Sequence, residues 1–132
     1  MRRQFRLPEG DEVYLDSLGL PWETIVDQGT QWLVVHNYPV PDGYNCKTAL
    51  AALRVLPGYP DVQIDMVYFH PALSLTGGRA IGGLSVTQFD GKHWQQWSRH
   101  RTAQNPWRPG VDDIAGHFTL VGHWLAQELR RG

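Results

Sequence analysis

The longest strictly periodic stretch of this chain lies at its C-terminal end. Ile114, Phe118, Val121 and Leu125 recur at helical spacing, Leu129 extends the stripe, and Leu120 and Trp124 widen it. Pro109-Gly110 punctuates the chain just ahead. Asp112 and Asp113 make an acidic first turn and Arg130 and Arg131 a basic last one, the charge order that a helix dipole favours. A single helix with one apolar stripe cannot close a core by itself and needs a second layer to cover that stripe. The sequence therefore predicts a helix of about 30 Å, at the standard rise per residue, packed on one face of a sheet.

The rest of the chain supplies the strands. Segments 22–27, 31–38, 48–56 and 64–69 are rich in Val, Ile, Leu and aromatic residues. They are separated by Asp27-Gln28-Gly29, by Pro39-Val40-Pro41-Asp42-Gly43 and by Pro57-Gly58-Tyr59-Pro60, which are turn-forming clusters. Short connections between consecutive strands make a four-stranded antiparallel meander the simplest topology. Ahead of it, residues 8–18 read as a short helix, with Glu9, Asp11 and Glu12 at the start and Gly19 at the end. Residues 1–8 read as a loose arm. Residues 74–110 hold many Gly, Pro and Gln and read as a long irregular segment, in which Leu84 to Phe89 can form a short extra strand. The expected class is α+β, in one domain covering 1–132.

Composition narrows the function. Apolar residues make up 42% and net charge is −1, which excludes a disordered chain and an overall basic field for nucleic acid. No apolar run has membrane-spanning length, and the N-terminus lacks the apolar stretch of a secretory signal, so a cytoplasmic protein is expected. Cys46 is alone, which rules out an internal disulfide and a cysteine-based zinc cage. His93 and His100 lie seven apart, and His117 and His123 six apart, whereas ligands on one helix prefer a spacing of three or four. No metal and no cofactor are expected, and Gly77-Gly78 and Gly82-Gly83 lack the Lys-Ser/Thr of a phosphate loop.

Four motifs carry a resemblance: Pro41-Asp42-Gly43-Tyr44-Asn45, Pro57-Gly58-Tyr59-Pro60, Trp97-Ser98-Arg99-His100, and Trp107-Arg108-Pro109-Gly110-Val111-Asp112-Asp113. Their order resembles the ubiquitin-conjugating-enzyme-like superfamily, and most closely its bacterial branch, the prokaryotic ubiquitin-conjugating-like family E. The resemblance implies that superfamily's fold, with an active-site segment between the sheet and the last helix. It also implies two partners, a ubiquitin-like protein and an activating-enzyme-like adenylyltransferase, in a bacterial conjugation pathway of phage defence. Two departures stand out. His70-Pro71 is followed by Ala72 where the wider superfamily has an asparagine that supports an oxyanion, and no cysteine follows it.

A carrier's C-terminus must be held as an ester, so an oxygen nucleophile is sought. Ser98 has His100 two residues on, and Arg99 and Arg101 beside them. In an extended chain Ser98 and His100 point the same way, and the arginines can steer a carboxylate or an oxyanion. The plainer reading has Ser98 capping a turn and His100 bonding backbone. Ser85 falls near the position of the missing cysteine when counted from His70, but nothing nearby activates it. His70 ends a strand and can face the site or serve structure. Cys46 reads as a small core residue. Trp94, Trp97 and Trp107 either order the long segment or, if exposed, form with Arg101 and Arg108 a docking surface. The missing cysteine and missing asparagine also support an alternative, a catalytically inactive scaffold for the activating enzyme or the carrier.

Overall fold

The structure, a computed structural model, describes residues 1–131. It contains a short helix α1 (Glu9–Ser17), strands β1 (Trp22–Asp27), β2 (Thr30–Pro39), β3 (Thr48–Val55), β4 (Val67–His70), β5 (Leu84–Phe89) and β6 (Lys92–Trp97), and a helix α2 (Ile114–Arg130). Strands β1 to β4 form the expected antiparallel meander, but the sheet does not stop there. It has six strands in the order β1-β2-β3-β4-β6-β5. The segment expected to be irregular therefore contains a hairpin, whose second strand lies beside β4.

The hairpin turns through Asp90-Gly91, with φ of 51° and 70°. Two positive φ values are what a two-residue turn between twisted strands demands. Strand β6 escapes a search for alternation because Trp94 and Trp97 are three apart and so face opposite sides. Trp94 joins a cluster with Trp32, Tyr68 and Phe89, while Trp97 joins the helix-side core. Strand β4 begins later than its sequence pattern suggests. Met66 has a φ of 61° and its N–H donates to the Arg99 carbonyl, so the ladder is interrupted there, although Ile64 is buried.

Helix α2 packs Ile114, Phe118, Val121 and Leu125 against Leu33, Val35, Ala51, Leu53, Val67 and Phe69 of the sheet. The Asp113 side chain caps its start by accepting from the Gly116 N–H. With 17 residues it spans about 26 Å, slightly less than expected, because the acidic turn lies outside it. Helix α1 is anchored to it through buried Asp11, which accepts from the Tyr59 hydroxyl at 2.7 Å and from the Ile114 N–H at 3.3 Å.

The opposite face carries no helix among the described residues, yet it is also packed. Phe89 stacks between Trp32 and Trp94, at 3.8 Å and 4.4 Å between ring centroids. Since β5 and β2 are at distant places in the strand order, the sheet must curl so that the β5–β6 turn returns over β2. Residues 1–8, expected to be loose, complete this closure. Backbone bonds join Gln4 and Arg2 to Thr24, and the Arg2 guanidinium bonds both Glu23 on β1 and Asp90 in the turn. Leu7 is buried.

Candidate functional site

The chain leaving β4 sets the first locus. The His70 Nδ1–H donates to the His93 carbonyl at 2.9 Å, because a carbonyl can only accept, which leaves Nε2 as the free acceptor. The segment after His70-Pro71 is held on both sides. The Asn45 side chain donates to the Ala72 carbonyl at 3.0 Å and accepts from the Ser74 N–H at 2.9 Å. The Gln95 side chain does the same for the two backbone groups of Leu73, at 2.9 Å each. A groove of about 240 Å³ runs beside this segment, lined by Ala72, Leu84, Ser85, Val86, His93, Trp94 and Gln95. Ser85 is exposed on β5, opposite Gln96, and no hydrogen bond of its side chain is found among the described residues.

The second locus follows β6. The Ser98 N–H donates to the Gly83 carbonyl, which continues the β5–β6 ladder one step, and its hydroxyl accepts weakly from the Gln96 amide at 3.5 Å. His100 is exposed, and its Nδ1–H donates to Asp65 Oδ2 at 3.1 Å. That bond fixes the tautomer and leaves Nε2 free as a base, the arrangement in which a carboxylate orients a catalytic imidazole. Asp65 was not singled out in the sequence, since its role depends on the turn before β4 lying under residue 100. No hydrogen bond joins Ser98 to His100 among the described residues. The chain is no longer an extended strand beyond Trp97, so the shared orientation expected from alternation is not enforced.

Arg99 and Arg101 diverge. The Arg99 guanidinium lies 5.0 Å from the Trp97 ring and donates to the Ser98 carbonyl, and it has no carboxylate partner among the described residues. Arg101 is drawn inward. It donates to His117 Nδ1 at 3.0 Å and lies 4.9 Å from the Trp107 ring. His117 in turn donates from Nε2 to the Met66 carbonyl at 2.8 Å. Burial, reinforced by the Arg101 charge, pushes the His117 pKa down to about 4 despite the Met66 bond. Arg101 thus ties residues 98–101 to α2.

The tryptophans divide as well. Trp94 and Trp97 are 1% and 0% exposed, so of the two readings of these residues the docking surface does not apply to them: each is core on its own face of the sheet. Trp107 is half-buried and donates to the Pro60 carbonyl, and Arg108 pairs with Asp112 at 3.4 Å. Cys46 is half-buried against the helix-side core, and burial pushes its thiol pKa up, away from the thiolate a nucleophile requires. Among the described residues no cluster of three or more His, Cys, Asp or Glu has the arrangement of metal ligands, and no helix is long and apolar enough to cross a membrane.

The motifs that carried the resemblance are where the tertiary structure is tied together. The Tyr44 hydroxyl donates to the Leu125 carbonyl, Asn45 straps the segment after β4, and Tyr59 holds Asp11. Residues 7–128 match the family described as prokaryotic E2 family E. No curated protein and no solved structure matches the chain.

Proposed function

We propose that this chain, which belongs to the prokaryotic E2 family E, carries the C-terminus of a ubiquitin-like protein as an ester on Ser98 and passes it to a target. Membership gives it a conjugating-enzyme-like role, with a ubiquitin-like protein and an activating enzyme as its general partners. The observation that carries the finer reading is His100 held by Asp65 two residues from Ser98, in a chain whose one cysteine is half-buried. In the step envisaged, the Ser98 hydroxyl attacks the activated C-terminal carbonyl delivered by an adenylyltransferase-type activating enzyme. A C–O ester bond forms, the bond to the activating group breaks, and the hydroxyl proton passes to His100 Nε2 and then to the leaving group. Arg99, without a carboxylate partner, is the cation nearest in sequence to receive the oxyanion. A role in phage defence is part of the same reading.

A second reading has specific support. Ser98 and His100 are not hydrogen-bonded, and Ala72 replaces the asparagine that would support an oxyanion. On this reading the chain is an inactive scaffold that presents the carrier or docks the activating enzyme. One experiment separates the two: incubation with the cognate activating enzyme, carrier and ATP, read by intact mass. Ester transfer predicts a carrier-sized mass increase that hydroxylamine removes and Ser98→Ala abolishes. An adduct that survives Ser98→Ala excludes Ser98, and a tight complex without a mass increase favours the scaffold.

A further inference from the structure

The face of the sheet without a helix contains a cavity that the proposed chemistry does not use. It has a volume of about 310 Å³, at the small end of the range of ligand pockets. The curl of the sheet creates it, since its walls come from β2, β3 and β4 on one side and from the β5–β6 hairpin on the other. Trp32, Tyr68 and Phe89 form the apolar wall and Arg54 stands directly across from Trp32 in the β2–β3 register.

What distinguishes this cavity is its unpartnered donors. The Trp32 ring walls the cavity, while its indole N–H is closed off from solvent and has no acceptor among the described residues, so the donors on offer come from its neighbours. Tyr68 is 2% exposed, and its hydroxyl has no hydrogen-bond partner among the described residues. Arg54 makes neither an ion pair nor a hydrogen bond among the described residues. The other polar groups lining the cavity are occupied in part: Thr87 donates to Gln96 at 2.6 Å, and Asp27 accepts from the Asp90 N–H at 2.9 Å. Asp27, the one acid in the lining, does not pair with Arg54.

We propose that this cavity binds a carboxylate, with Arg54 and the Tyr68 hydroxyl as its donors and the Trp32 ring as the apolar wall beside it. One cation and one neutral donor suit a single negative charge spread over two oxygens, and a guanidinium can hold both of them at once. A phosphate dianion would keep a charge uncompensated beside aromatic rings. The carboxylate can belong to a small aromatic acid or to the C-terminus of a peptide. This site stands apart from Ser98, and the proposal does not depend on ester transfer.

The test uses the intact chain labelled with ¹⁵N, following the Trp32 indole N–H signal identified by its loss in Trp32→Phe. Benzoate and N-acetyl-glycylglycine are the acid probes, and benzamide and N-acetyl-glycylglycinamide their neutral controls. The expected result is a saturable shift of the Trp32 signal with at least one acid and with neither amide. Arg54→Gln should weaken that binding roughly tenfold, equivalent to about 1.4 kcal/mol, without moving the melting temperature, because Arg54 is exposed. Binding of the peptide acid, with or without benzoate, assigns the site to chain termini, and binding of benzoate alone assigns it to a free aromatic acid. The proposal is overturned if neither acid shifts the signal at about 10 mM, if the amides act like the acids, or if Arg54→Gln binds as tightly.

Discussion

At His117 a titratable ring is buried inside a network whose other members are a backbone carbonyl and a guanidinium. Both ring nitrogens are used while the ring is neutral, one donating to Met66 and one accepting from Arg101. Protonation would set two donors face to face in a site closed to solvent. The unfolded ring gains its proton near pH 6.5, and the folded one resists until about pH 4. Between these values the unfolded chain binds more protons, so stability is complete above about pH 6.5 and falls as pH drops towards 4. The loss is roughly 3 kcal/mol across the window, at about 1.4 kcal/mol per unit. Gln offers an N–H and a carbonyl in similar places but does not titrate. His117→Gln should therefore flatten the dependence of unfolding free energy on pH in this window, measured by urea denaturation. An unchanged slope would mean that another group is responsible.

Among the elements, α2 has the largest share in holding the layers together, and its periodicity made it the most legible. Phe118 is 4% exposed, within 5.3 Å of the Tyr38 ring between centroids. Its truncation to Ala should cost about 3–5 kcal/mol, most of the stability of a small domain, and lower the melting temperature accordingly. An unchanged melting temperature would place this face of the helix outside the core. The β5–β6 hairpin is the contrasting case. Its turn signal, Asp90-Gly91, is in the sequence. Its second strand is not apparent, because Gln95 and Gln96 take positions where an ordinary strand would have apolar residues on one face. Gln95 is there to bond the backbone of Leu73, a purpose that appears only when the segment after β4 is in place.

On the scale of the whole molecule, Arg2 closes the curl of the sheet. It links Glu23 on β1 with Asp90 in the hairpin turn, although β1 and β5 are the two ends of the strand order. Burial alone would raise the Glu23 carboxyl, but the bonds from Arg2 and His36 bring it below its ordinary value. The Asp90 carboxyl is held down chiefly by Arg2. Carboxyls with depressed values stabilise the fold above the ordinary carboxylate range, and that contribution disappears as pH falls through their folded values. Arg2→Ala should cost about 1–2 kcal/mol at neutral pH, a modest figure because the guanidinium is partly exposed. The difference from wild type should shrink at a pH well below the ordinary carboxylate range, as these two groups gain their protons in the folded protein. Denaturation at the two pH values checks this, and an equal difference at both would show that Arg2 acts by packing alone.

The sequence by itself determined the layers: one long amphipathic helix, a short acidic one, four strands in meander order, and the motifs shared with the family. These follow from local periodicity and turn chemistry, which act between residues close together along the chain. Tertiary structure decided what depends on meeting across distance. It placed Asp65 under His100 and Arg101 on His117, it turned Trp94 and Trp97 into core, and it folded the N-terminal arm onto β1. The candidate site was legible as a set of residue types, Ser98, Arg99 and His100, but not as a geometry. A side chain in an irregular segment takes its direction from whatever long-range partner satisfies it, and no periodicity encodes that choice.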